Sequence, residues 1–355
     1  MTAPKAAWAP TLRIGAPGSA GDERYISLRT KGRVFGVTAA LLLVTAGLLA
    51  TQSSHTSVAA AAKLKVVATT SMIADAAREI GADRVAVTAL MGPGIDPHTY
   101  RQTRSDIVAL VRADVVLWNG LYLEAQLEEF FADLKTRRSV FAVGEAVPSG
   151  ELIGHSAYSG RYDPHVWMDP RRWQSVVKAV RDRLSEISPD DKALFHDNAQ
   201  RYLEMIAKVG EYAAKSLASV AADQRVLLTA HDAFNYFGDA FGYEVIGIQG
   251  ISTESEAGLS RIGEIVDELV SRKISAVFVE TSVADRNVRA VIEGAAARGH
   301  KVVIGGELFS DAMGRPGTYE GTYVGMIDHN VTTITRALGG NAPERGMAGR
   351  LSVSG

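Results

Sequence analysis

The stretch SPDDKALFHDNAQRYLEMIAKVGEYAAKSLASVAADQ, residues 188–224, separates two segments that each alternate short apolar runs with helical patterns. Ser188 suits a helix N-cap. Pro189 suits the first helical position, where its fixed φ and missing N–H cost nothing. Up to Asp223 the only breaker is Gly210, at about 1 kcal/mol relative to alanine in a helix interior. Some 33 residues at about 1.5 Å each predict a rod of about 50 Å. The alternative is two packed helices split near Gly210. A single rod between two lobes is a stiff spine, and it favours limited lobe motion over a wide hinge.

Upstream of it, KVVATT (65–70), RVAVTAL (84–90), DVVLWNG (114–120) and SVFAV (139–143) read as strands. SMIADAAREIG (71–81), TRSDIVALVRA (103–113, with Ser105 as N-cap) and LYLEAQLEEFFADLK (121–135) read as helices. Downstream, strands at 225–230, 243–250, 274–282 and 301–307 alternate with helices at 231–242, 257–272 and 285–299. Such alternation predicts parallel α/β sheets. Residues 65–90 and 225–250 match by type: strand, small polar residue, helix, glycine, strand. The expected fold is therefore α/β, with two similar lobes, each a mostly parallel four-stranded sheet flanked by helices, joined by one long helix. The expected boundaries are a leader (1–62), an N-terminal lobe (63–187), the linking helix (188–224), a C-terminal lobe (225–340) and a tail (341–355).

Hydrophobic content of 46%, charged content of 22% and a formal charge of −2 are ordinary for a globular protein and offer no basic face for nucleic acid. The chain has no cysteine, so disulfides, thiolate metal sites and a lipidated lipobox cysteine are all excluded. Any metal site must use His, Asp, Glu or backbone oxygen. Near the N-terminus, Lys31 and Arg33 precede the apolar run VFGVTAALLLVTAGLLA (34–50), and SVAAAA (57–62) follows. That order describes a secretory signal, with an uncleaved N-terminal anchor as the alternative. In either case the expected location is periplasmic or extracellular.

In parallel α/β sheets, ligands bind beyond the carboxyl ends of the strands. His98 lies in the loop after the second strand, in GPGIDPHTY (92–100), and His165 lies in the second Asp-Pro-His, YDPHVWMDP (162–170). His231 follows the strand at 225–230, at the expected start of a helix, and Asp311 follows KVVIGGE. Two residues from each lobe would make a four-coordinate site for Zn²⁺ or Mn²⁺ in the cleft. Each also has a plainer reading: Asp-Pro-His is a fair turn, and a loop carboxylate needs no metal. Of the other histidines, His196 reads as a face of the spine, His155 as a loop residue, His300 as a helix end and His329 as a helical position. His55 falls in the leader.

The segments GPGIDPHTY, NGLYLE, DPHVWMDP, TAHDAFNYFGDAFGYEVIGIQGISTESEAG and GGELFSDAMG…GTYVGMIDHN resemble the zinc- and manganese-binding solute-binding proteins of ABC importers, the TroA-like family. The resemblance runs from about residue 65 to 338. It implies a non-enzymatic protein that captures one divalent ion in the cleft and delivers it to an ABC permease transmembrane subunit. It implies the same four ligands, His98, His165, His231 and Asp311. Histidine at 231 resembles members that take zinc as well as manganese, and the His- and acid-rich insert of dedicated zinc members is absent between the first two ligands.

Each ligating imidazole should donate its other N–H to a carboxylate, carbonyl or water. Asn119, Glu280 and Asp232 are candidates, although a turn, a strand-end ion pair and a first-turn helix charge are their plainer roles. Trp167 would shield the site or simply fill the core. Asp311, on a glycine-flanked loop, is the expected ligand to leave on delivery. A zinc hydrolase would need an open position for water and a base, for which Glu280 is the candidate. A siderophore or vitamin carrier should have an aromatic- or Arg-lined cleft, and an adhesin would show repeats or a stalk.

Overall fold

Leu64–Ala68 forms β1, whose valines are too stiff at χ1 to favour helix and suit a sheet covered on both faces. Val66 stands in parallel register with Val87 of β2 (Val85–Ala89) and Val115 of β3 (Val115–Trp118), and β4 (Ser139–Ala142) completes a sheet of order β2-β1-β3-β4. This is the computed structural model of the chain, which describes residues 62–155 and 158–352. The leader and its apolar run at 34–50 lie outside the described residues.

The connecting helices are α1 (Ser71–Gly81), α2 (Arg104–Arg112) and α3 (Glu128–Lys135). Two differ from expectation. The N-cap of α2 is Thr103, in a reciprocal capping box with Asp106, so Ser105 lies inside the first turn. The helix expected from Leu121 begins only at Glu128, because Leu121 and Tyr122 take positive φ. The turn is held by Glu124, whose carboxylate accepts the N–H groups of Asn119 (2.8 Å) and Gly120 (3.1 Å) and the Thr69 hydroxyl (2.6 Å). Those charge-assisted bonds outweigh the helical preference of the segment.

The long helix is shorter than the spacing suggests. A helix α4 (Pro170–Ile187) runs up to Ser188, and Pro189–Asp191 is a single 3₁₀ turn. Then α5 spans Lys192–Leu217, 26 residues or about 39 Å. The Ser188 hydroxyl donates to the Asp191 carboxylate (2.7 Å), which Arg84 also holds (2.7 Å), so Ser188 does not cap the helix. Gly210 does not break α5. Pro170, at the start of α4, packs over it, which makes α4 and α5 an antiparallel pair.

The C-terminal strands are β5 (Val226–Thr229), β6 (Glu244–Gly247), β7 (Ala276–Glu280) and β8 (Val303–Leu308). They form two parallel pairs, β5-β6 and β7-β8, where one four-stranded sheet was expected. β5 and β7 are neighbours, and beyond the end of β5 the Glu280 carboxylate of β7 takes the His231 N–H at 2.8 Å. Helix α6 is only Asn235–Phe241, so His231 lies in a turn and not at a helix start. Gly247 permits this turn, since a Cβ there would fall 2.7 Å from the Asp232 backbone. Helices α7 (Leu259–Arg272), α8 (Arg286–Ala297) and α9 (Tyr323–Ala337) complete the described elements.

The largest apolar core belongs to neither half alone. It joins α1, α4, α5 and α9 through Trp167, Trp173, Tyr202, Phe234 and Tyr323, and the described residues behave as one compact unit. Asp75 ties this layer together by accepting from the Tyr202 hydroxyl (2.8 Å) and the Tyr323 N–H (3.0 Å). Residues 341–352, expected as a tail, pack back: Leu351 is buried and Met347 N–H donates to Asp328 at 2.9 Å.

Candidate metal centre

The two Asp-Pro-His segments fold alike at the backbone and diverge at the side chain. In each, the aspartate accepts the N–H of the histidine two residues on, at 2.9 Å for Asp96 to His98 and 2.9 Å for Asp163 to His165. This is an Asx turn stiffened by proline. The same oxygen of Asp163 also meets His165 Nδ1 at 2.7 Å. Asp96 instead spends its second oxygen on the hydroxyls of Thr99 (3.0 Å) and Thr253 (2.5 Å).

From the other half, His231 leaves β5 in its turn and Asp311 follows β8. The four residues are all but fully buried, and one donor atom from each lies within 4.8 Å of the others. His98 Nε2 is 3.3 Å from His165 Nε2 and 3.8 Å from Asp311 Oδ2. Asp311 Oδ1 is 3.4 Å from His165 Nε2, and Oδ2 is 3.2 Å from His231 Nε2. A tetrahedral ion with bonds of about 2.0–2.2 Å needs donors about 3.3–3.6 Å apart, and these four separations, from 3.2 to 3.8 Å, bracket that spacing. Although His231 Nε2 and Asp311 Oδ2 are close, neither they nor Asp311 Oδ1 makes a well-formed hydrogen bond. Buried polar atoms rarely stay unpaired without a ligand to receive.

The surroundings prepare the donors. Glu280 accepts from His231 at both N (2.8 Å) and Nδ1 (2.5 Å). With Nδ1 turned to a carboxylate, Nε2 of His165 and of His231 faces the centre. Burial alone would push the His165 ring down, but the Asp163 carboxylate outweighs it and raises the ring to about 9. His231 is likewise held well above its usual value, burial being overcome by Glu280 and Asp311. Burial would raise Asp311, yet the flanking histidines hold it well below the usual carboxylate range. His98 has no carboxylate on its other nitrogen among the described residues, and burial pushes it down to about 3. A divalent ion can therefore replace two imidazole protons without changing the buried charge.

Thus His98, His165, His231 and Asp311 are brought together as a set, and the remaining candidates sort themselves out. Glu280 orients His231, which is more than a strand-end ion pair. Asn119 serves the turn and donates to the Pro164 carbonyl (3.1 Å), just before His165. Asp232 makes no hydrogen bond to a ring of the set among the described residues, and burial raises its carboxyl. Trp167 does both things expected of it. It packs edge-on against His165, with ring centroids 5.2 Å apart, and its Nε1 donates to the Ser310 carbonyl beside Asp311 (2.8 Å). Asp163 was not anticipated as an imidazole partner, although the repeated Asp two residues before each histidine was its signal. His300 and His329 meet the carbonyls of Ile274 and Glu307, away from the site.

Comparison with known proteins gives a consistent picture. The chain is 44% identical over 304 residues to the manganese-binding lipoprotein MntA of Bacillus subtilis, covering 85% of this chain and 99% of that protein. It is 45% identical over 280 residues to the zinc-binding protein TroA of Treponema pallidum, covering 79% and 90%. The solved structure of the periplasmic zinc-binding protein TroA from that organism superposes with a TM-score of 0.75, over 78% of this chain and 99% of that one. The family model described as "ZnuA: Zinc-uptake complex component A periplasmic" matches residues 66–337, a span that holds both halves and all four converging side chains, and the chain belongs to this family.

Proposed function

We propose that this chain is an extracytoplasmic solute-binding protein that captures one Zn²⁺ or Mn²⁺ ion with His98, His165, His231 and Asp311 and delivers it to an ABC-type permease. The observation that carries the reading is the buried convergence of three imidazoles and one carboxylate, with His231 Nε2 and both Asp311 oxygens unpaired. The two relatives above are named for manganese and for zinc, and the family is one of uptake components, not enzymes. Four protein donors leave no open position for the water a hydrolase needs, and a His-lined site suits no organic carrier. By the Irving–Williams order the site binds Zn²⁺ more tightly than Mn²⁺, so supply decides which ion is carried.

The reading takes residues 63–187 and 225–340 as the two lobes, with the transmembrane subunit of the permease as partner. The apolar run at 34–50 serves as a secretory signal or, uncleaved, as an anchor. No described helix is long and apolar enough to cross a membrane. Relatives such as MntA are named lipoproteins, whereas this chain has no cysteine to carry a lipid and so works without that anchor.

Titration calorimetry of the parent chain with Zn²⁺ should give one ion per chain. Asp311→Ala should keep the fold while losing more than the roughly 10–100-fold in affinity that an outer partner is worth. Unchanged affinity would remove Asp311 from the coordination.

A further inference from the structure

Three of the four converging side chains are fixed within their own surroundings. His165 is held twice by Asp163, which Asn235 braces at 3.0 Å. His231 is held twice by Glu280. The loop of Asp311, expected from its glycines to be the mobile one, is pinned on both sides: Trp167 Nε1 bonds the Ser310 carbonyl (2.8 Å), and Met313 N–H donates to the Ser71 hydroxyl (3.1 Å). His98 differs. No carboxylate among the described residues holds its other ring nitrogen, and its loop is positioned through Asp96.

Asp96 in turn is clasped from the opposite half of the protein. Thr253 Oγ1 donates to Asp96 Oδ2 at 2.5 Å, and the next residue, Glu254, accepts from Gln126 Nε2 at 2.5 Å. The segment that carries Thr253 thus rests on two points of the N-terminal half. Gln126 and Glu254 are exposed, where water competes for their bond. Both bonds end on a carboxylate, but the Thr253–Asp96 bond is partly buried, so it is the stronger of the two. We propose that Thr253 is a positioning residue for His98, and that release of its bond to Asp96 frees the His98 loop to let the ion in and out. This rests on the metal-capture reading above. Neither Thr253 nor Asp96 donates an atom to the site, so loosening their bond lowers the barrier in both directions.

The test is stopped-flow kinetics on the full chain with Zn²⁺, measuring uptake directly and release into excess chelator. Thr253→Val removes the hydroxyl at nearly constant volume. Both rate constants should rise by about tenfold to a hundredfold, the worth of one hydrogen bond to a charged group, with Kd changing far less than either rate. Thr253→Ala should do the same without the extra methyl, and Thr253→Ser should restore the parent rates. Rates indistinguishable from the parent in both deletions overturn the proposal. So does faster release with unchanged uptake, which marks an ordinary loss of stabilisation. A parent chain that takes up no Zn²⁺ overturns the capture reading itself, and the clasp with it.

Discussion

Replacing Asp163 by asparagine separates the charge of this residue from its hydrogen bonding. Asparagine Oδ1 can still accept from His165 Nδ1, so the ring keeps its orientation and its Nε2 still faces the centre. What disappears is the negative charge that raises the ring to about 9 against burial. At pH 7 that value means proton competition of about 10²-fold, or about 2.7 kcal/mol, at His165 Nε2. Glu280 and Asp311 hold His231 well above its usual value against burial, which favours its protonated form at pH 7, while His98 is pushed down to about 3. Binding of one ion should therefore expel two protons from the parent chain and one from Asp163→Asn. Proton and metal compete for the same nitrogens, so affinity rises with pH. Its logarithm should climb by about two per pH unit near pH 7 in the parent and by about one in the variant. Calorimetry at pH 7 in buffers of different ionisation enthalpy counts the protons directly. If Asp163→Asn releases as many protons as the parent, the electrostatic account of His165 is wrong.

Two further outcomes follow from separate parts of the structure. Glu280→Gln keeps a hydrogen-bonding group beside His231 but loses the carboxylate, and it should weaken Zn²⁺ binding by about 10–100-fold in a chelator competition. Gly210→Ala should stabilise the fold by up to about 1 kcal/mol in urea unfolding. Gly210 is interior to α5, and the added Cβ meets only Pro170, at an ordinary contact distance of 3.4 Å.

The positions of the four converging residues were legible in the sequence because each follows a strand or a proline-stiffened turn, and those are local signals. Their partners were legible only in part. Asp163 sits two residues before His165, and its turn was readable, but its second bond to the ring depends on the side-chain conformation of His165. Glu280 is 49 residues from His231, and only the side-by-side placement of β5 and β7 gives it that role. Helical periodicity misled wherever a buried carboxylate offered the backbone a better partner. Glu124 delays α3 by several residues, and Asp191 draws Ser188 away from capping. The turn after His231 displaced the start of α6 because Gly247 lets it approach β6, a close contact no local pattern encodes.

The most direct test of the account is X-ray absorption at the zinc edge of the loaded, full-length chain. Three imidazole nitrogens and one carboxylate oxygen at about 2.0–2.2 Å are the predicted shell. A shell with two or fewer imidazoles would contradict the assignment of His98, His165, His231 and Asp311.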